Sequence, residues 1–152
     1  MNICVFDQQD TLLISPLQIQ AIVKHVLTLE NATCHEVSIH FVDTPTICQL
    51  HEDYFDDPTT TDCISFPIDD ASSAFRVLGE VFVCPETAQD YAKAHHSDPY
   101  RETTLYVVHG LLHLLGYDDI EPEDEQVMRT AEAKHMEALQ KNSLVLTMSK
   151  KE

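Results

Sequence analysis

The chain has 152 residues, long enough to bury the core of one domain. Hydrophobic residues make up 43% of it and glycines number only 3, which argues against a disordered chain. Its 26 acidic and 9 basic side chains give a net charge of −17, which disfavours a polyanionic partner and favours a divalent cation.

The chain carries no pattern that predicts export or membrane insertion. No stretch approaches about 18 uninterrupted apolar residues, and the opening MNICVFDQQD lacks a signal-peptide pattern. The five cysteines are scattered and never spaced CxxC, so we expect reduced thiols rather than disulfides or a cysteine zinc site. We therefore expect a cytoplasmic protein without a membrane span.

The first predicted elements alternate between strand and helix. The apolar run at 2–6 predicts a strand, and Ser15 before Pro16 predicts the start of a helix. Residues 35–42 alternate between apolar and polar, which predicts a second strand, and Thr44 is the expected cap of the helix that follows.

Two strands and three helices are predicted in the second half. Segments 62–66 and 77–83 read as strands that pair as a hairpin with a long connection. Prolines begin three further helices, with Asp98 capping the middle one. These starts are Pro85, Pro99 and Pro122.

This order predicts an α+β fold: a four-stranded mixed sheet covered by about five helices. We expect one domain over residues 1–142 and a frayed tail over 143–152. The helix of residues 99–115 is apolar nearly all round, so it is predicted to be the central, most buried helix.

That helix carries the motif HGLLHLLGYDD, residues 109–119. His109 and His113 lie four residues apart and share a helix face, so two imidazoles can bind one metal. Gly116 can end the helix in a left-handed turn and return Asp118 or Asp119 toward that metal. The alternative is a pair of hydrogen-bonded core histidines followed by solvated aspartates.

Gly110 separates this motif from HExxH zinc proteases, which carry a glutamate base directly after the first histidine. Two histidines followed by an aspartate are also typical of metzincin-like sites, a rival for the metal geometry that lacks the base. A glycine inside a helix costs about 1 kcal/mol relative to alanine. We expect its missing side chain to leave room for a neighbouring backbone or a substrate.

Three blocks together resemble one family. HGLLHLLGYDD resembles the HGxLHLxGYDH signature of the YbeY family, bacterial metal-dependent endoribonucleases that act in ribosomal RNA maturation. TDCISFP at 61–67 resembles that family's TDVLSFP, and LGEVFVC at 78–84 resembles its LGDIVIC-like strand. The blocks occur in the family's order and at similar spacing, over roughly residues 35–125.

The resemblance implies a single-strand-specific endoribonuclease of ribosomal RNA maturation and ribosome quality control, with the small ribosomal subunit or its proteins as partners. It implies one divalent metal ion, zinc first, and a metal-bound water as the nucleophile. The implied ligands are His109, His113 and Asp119, the last standing where the family has histidine. Asp118 is a candidate for orienting a ligand, and Ser65 and Phe66 are candidates for lining the substrate groove.

One departure from the family concerns phosphate binding. Phe55 stands where the family has an arginine thought to contact phosphate, and Asp56 and Asp57 follow it. Slow RNA cleavage is therefore expected unless another cation, such as Arg76 or Arg101, substitutes in space. Two alternatives stay open: a metal-binding ribosome-assembly factor with weak or no catalysis, and a small metzincin-like zinc hydrolase of another substrate class.

Overall fold

The computed structural model describes residues 1–148, over which the predicted order of four strands and five helices is confirmed. The elements are β1 (Asn2–Gln8), α1 (Pro16–Leu29), β2 (Glu36–Val42), α2 (Thr44–Phe55), β3 (Cys63–Pro67), β4 (Val77–Val83), α3 (Pro85–His95), α4 (Pro99–Leu114) and α5 (Pro122–Lys141). Among these residues, no helix combines the length and the apolar character that crossing a bilayer requires.

The four strands form one mixed sheet in the order β1-β2-β4-β3. The pairs β1–β2 and β2–β4 are parallel, and the predicted hairpin β3–β4 is antiparallel at the sheet edge. The register aligns Val5 with Ile39 and Ile39 with Val81, so apolar side chains meet across the strands on one face. Ile39 and Val81 are fully buried there.

Local capping sets where the helices begin. Ser15 and Asp98 cap α1 and α4 as predicted, each accepting a backbone N–H of the first turn. The prediction of Thr44 as the cap of α2 is wrong by one residue. Asp43 is the cap, and its carboxylate accepts the N–H of Thr46 at 3.0 Å. Thr44 is already helical, so its backbone is not in the extended form that a cap needs.

Helix α4 is the central helix, as predicted, and packs against α1, α3, α5 and the hairpin strands β3 and β4. It packs tightly against the sheet at Gly110, where a Cβ would collide with Val81 Cγ1 and lie 2.9 Å from Cys63 Sγ. The Ser65 hydroxyl also donates to the Gly110 carbonyl at 3.0 Å. Side chains of the sheet therefore occupy the space that we expected a backbone or a substrate to use.

The opposite face of the sheet is covered in part by α2. A small buried cluster forms there from Val42, Ile47, Ile64 and Cys84. Because strand side chains alternate between faces, Ile64 points toward this cluster while its neighbours Cys63 and Ser65 contact α4.

The chain after α5 differs from the frayed tail expected over 143–152. Leu144 and Val145 pack against the core, Leu146 is fully buried, and its N–H donates to the Thr104 hydroxyl at 3.1 Å. The apolar run is the physical reason, because burying it against α4 offsets the cost of ordering the backbone. Residues 149–152 of the expected tail lie outside the described residues.

The contact at Gly110 predicts a non-additive pair of substitutions. Gly110→Ala gains helix propensity but places a methyl group against Val81 on a buried strand, so we expect a net destabilisation of about 1–3 kcal/mol. Val81→Ala removes the closest contacting atom. Urea unfolding of both single variants and the double variant should show the double variant more stable than the sum of the single effects. Simple additivity would contradict this packing.

Candidate metal centre

Three potential ligands converge at the C-terminal end of α4. His109 and His113 project from the same face of the helix, one turn apart. Gly116 then adopts φ +101° and donates its N–H to the His113 carbonyl at 3.1 Å, ending the helix in the predicted left-handed turn. The chain changes direction in this turn and brings Asp119 close to the two imidazoles.

The spacing of the three ligand atoms suits a single ion. The Nε2 atoms of His109 and His113 are 3.1 Å apart, and Asp119 Oδ2 lies 3.5 Å and 3.6 Å from them. A tetrahedral ion with ligands at about 2.0–2.1 Å requires ligand atoms roughly 3.3 Å from one another. The cluster could therefore hold a metal.

Hydrogen bonds fix which nitrogen of each imidazole is free. His109 Nδ1 donates to Glu132 Oε2 at 2.5 Å, and His113 Nδ1 donates to the Tyr117 carbonyl at 3.0 Å. A carboxylate and a carbonyl can only accept, so both protons reside on Nδ1. In the neutral form of each imidazole, Nε2 therefore carries the lone pair that can bind a metal, and both Nε2 atoms face Asp119.

Glu132 is a site residue that sequence reasoning missed. It is only 5% exposed, and besides His109 it binds Arg129, whose Nη1 donates to the two carboxylate oxygens at 2.7 Å and 2.8 Å. Burial raises the pKa of the Glu132 carboxyl, but hydrogen bonds from His109 and Arg129 outweigh it and hold the pKa below its usual value. Glu132 is therefore an anionic acceptor that orients His109.

A signal for Glu132 was present in the sequence. Two ionisable residues stand within the buried stripe of α5, where a purely structural helix would carry apolar residues. The buried positions are Met128, Ala131, Glu132, His135, Met136 and Leu139. A carboxylate on that stripe needs a buried partner, and its partner is a proposed ligand.

A second, partly buried network holds the turn that carries Asp119. The Tyr117 hydroxyl donates to Glu30 Oε1 at 2.8 Å, and His135 Nε2 donates to Glu30 Oε2 at 2.6 Å. Burial raises the pKa of Glu30, but these two hydrogen bonds outweigh it, and the pKa lies below its usual value. Glu30 thus ties the end of α1 to α5 and to Tyr117, whose carbonyl orients His113.

The remaining predicted site residues have different surroundings. Asp118 Oδ1 accepts the N–H groups of Asp119 and Ile120 at 2.7 Å and 3.3 Å, so it closes the turn. Ser65 lines a cavity together with His113. Phe66, next along β3, points to the other face of the sheet, where its ring packs against Tyr54 and Phe82. The structure does not bring it to the three ligands.

The cavity beside the ligands has a volume of about 350 Å³ and is lined in part by Phe55 and His113. Neither arginine considered as a substitute lines it. Arg76 Nη1 donates to the Thr33 carbonyl at 3.0 Å, and Arg101 lines a separate cleft of about 910 Å³ between α4 and α5. Arg129 is connected to the candidate metal centre, because it binds Glu132, which in turn binds His109.

Comparison with known proteins identifies the family of the chain. A family model described as Endoribonuclease YbeY matches residues 5–140. The Endoribonuclease YbeY of Protochlamydia amoebophila is 56% identical over 141 residues, covering 92% of this chain and 94% of the relative. That of Chlamydia caviae is 39% identical over 140 residues, covering 87% of each.

One solved structure shares the fold. The solution structure of TM1509 from Thermotoga maritima superposes with a TM-score of 0.63 at 20% identity, covering 99% of both chains. At that identity it supports the architecture alone. The family model and the relatives extend over most of the sequence, and the chain belongs to the YbeY endoribonuclease family.

Proposed function

We propose that this protein is a metal-dependent endoribonuclease that cleaves single-stranded RNA. The observation that carries the proposal is the convergence of two imidazole nitrogens and one carboxylate oxygen at the spacing of a tetrahedral ion. The name of its relatives, Endoribonuclease YbeY, supports RNA as the substrate.

The proposed ligands of one divalent ion are His109, His113 and Asp119. Two imidazole nitrogens and one oxygen are a donor set that zinc accepts readily, and the carboxylate also tolerates magnesium or manganese better than a third histidine would. When bound, such a metal lowers the pKa of a coordinated water and offsets the negative charge that develops on phosphate.

The other residues position these ligands. Glu132 keeps the proton of His109 on Nδ1, and Arg129 balances the charge of that buried carboxylate. Asp118 shapes the turn that presents Asp119. Because Gly110 stands where HExxH proteases have their base and Glu132 is occupied by two donors, we assign no carboxylate as a peptidase base.

The finer part of the proposal concerns the cellular role. We infer action in ribosomal RNA maturation and ribosome quality control in the cytoplasm, with the small ribosomal subunit or its proteins as partners. Membership of the YbeY family supports this role. The strong acidity of the chain and Phe55 favour the competing idea of an assembly factor with weak catalysis.

Activity assays on metal-stripped protein separate these functions. We expect cleavage of a single-stranded RNA to return when zinc or manganese is restored, and a double-stranded RNA and a peptide library to stay intact. RNA binding without cleavage at any metal concentration would favour the assembly factor. Peptide cleavage would favour the metzincin-like hydrolase.

The third ligand can be tested with adjacent aspartates. Asp119→Ala should weaken zinc binding by more than the roughly 10- to 100-fold that loss of an outer partner costs, because it removes a ligand atom. Asp118→Ala should weaken it less, and Asp119→His should retain or tighten it. Competition with a chromogenic chelator measures all three. Equal losses for the two alanine variants would rule out this assignment.

The lack of an arginine in the lining of the cavity beside His113 should limit the rate of RNA cleavage. We expect slow RNA cleavage by the natural protein, with weak salt dependence because few phosphates are contacted. Phe55→Arg should raise the rate, since a guanidinium can grip phosphate in a bidentate fork. Tyr54→Arg adds the same charge on the neighbouring residue and should raise it less. An unchanged rate in Phe55→Arg would show that another cation performs this role.

A further inference from the structure

The cavity beside His113 has a distinct chemical character. It lies between the C-terminal end of α2, strand β3 and helix α4, and its aromatic side consists of Phe55 and His51, whose ring centroids are 5.6 Å apart at 55°. Phe55 is 55% exposed, although it is a large apolar side chain at the end of a helix. An exposed ring beside a cavity of about 350 Å³ is available to a ligand.

The lining carries no charge suited to phosphate. Among the described residues that line the cavity, none is a lysine, an arginine or a carboxylate. Burial raises the pKa of the Cys63 thiol far above its usual value, so this side chain stays neutral. Pro67 adds a further apolar surface. The cavity therefore suits a flat, uncharged, partly apolar group.

The polar atoms of the lining are held in place and offer acceptors. His51 Nδ1 donates to the Thr59 carbonyl at 2.8 Å, so Nε2 is an acceptor whenever the imidazole carries a single proton. The Ser65 hydroxyl donates to Gly110, so its lone pairs remain. Acceptors around an aromatic cavity match the amino and imino groups on the edges of nucleobases.

From these observations we propose that the cavity binds one nucleobase of single-stranded RNA, stacked on the ring of Phe55. The inference rests on the proposed function and deepens it. Because His113 is both a lining residue and a proposed metal ligand, the base would belong to a nucleotide that adjoins the phosphodiester at the metal centre. Base–aromatic stacking needs no positive charge, so an acidic chain can hold RNA in this way.

A tryptophan reporter tests this directly, because the natural chain contains no tryptophan. Phe55→Trp introduces a single indole at the cavity, and its fluorescence should be quenched saturably by a short single-stranded oligoribonucleotide. The titration is made in a chelator, so that no cleavage occurs. Tyr54→Trp is the matched control: its position is 64% exposed but is not part of the cavity lining, so quenching there should be weak.

An oligomer without bases distinguishes binding of the nucleobase from binding of the sugar–phosphate backbone. An abasic oligomer of the same length should not quench Phe55→Trp. Equal quenching by the abasic oligomer, equal quenching of the two tryptophan variants, or no quenching of Phe55→Trp would each overturn the proposal. None of these readouts depends on catalysis, so the proposed nuclease function stands or fails separately, by the RNA cleavage of the unaltered protein.

Kinetics on the metal-loaded enzyme give a second readout. Phe55→Leu should raise KM for single-stranded RNA by roughly 5- to 150-fold, the factor that corresponds to losing one base–aromatic stack, with kcat nearly unchanged. Phe55→Tyr should have the KM of the natural protein, because an aromatic ring remains at this position. A Phe55→Leu enzyme with unaltered KM would contradict a stacked base.

Discussion

The proposed metal centre depends on how closely helix α4 packs against the sheet. Gly110, between the two histidines, lets the helix backbone reach Val81 and Cys63, where any Cβ would collide. The cost of an interior glycine, about 1 kcal/mol, is offset by this burial. With the position of α4 against the sheet fixed, His109 contacts Glu132 of α5, and His113 approaches Asp119 in the turn after the helix.

Two carboxylates, the buried Glu132 and the partly buried Glu30, then orient the proposed ligands. Glu132 reaches His109 from α5, and Glu30 reaches Tyr117 from the end of α1, so three helices meet at the site. Each carboxylate has two donors, which is what a buried anion needs. The ligand atoms are consequently set before any ion binds, and a preorganised site loses less free energy to ordering when the ion arrives.

Much of this was open to sequence reasoning because the signals are local. The i, i+4 histidines and the helix-ending Gly116 depend on a few neighbouring residues, and proline and capping patterns gave the helix starts. Which residues pair in the two hydrogen-bond networks could not be predicted. Glu132 lies 23 residues from His109, and Glu30 lies 87 residues from Tyr117, so only the fold brings them together.

The strand residues show a different limit. Ser65 lines the cavity beside His113, whereas the ring of Phe66 packs on the other face of the sheet, and the motif alone did not distinguish the two. Likewise, a short apolar run after the last helix is interpreted as a tail as long as the surface against which it packs is unknown. Leu146 has that surface on α4.

The most direct test of the proposed metal site is the metal content of the purified protein. It predicts close to one equivalent of a divalent transition metal, mostly zinc, and none in the folded double variant His109→Ala, His113→Ala; full metal occupancy in that variant would contradict it.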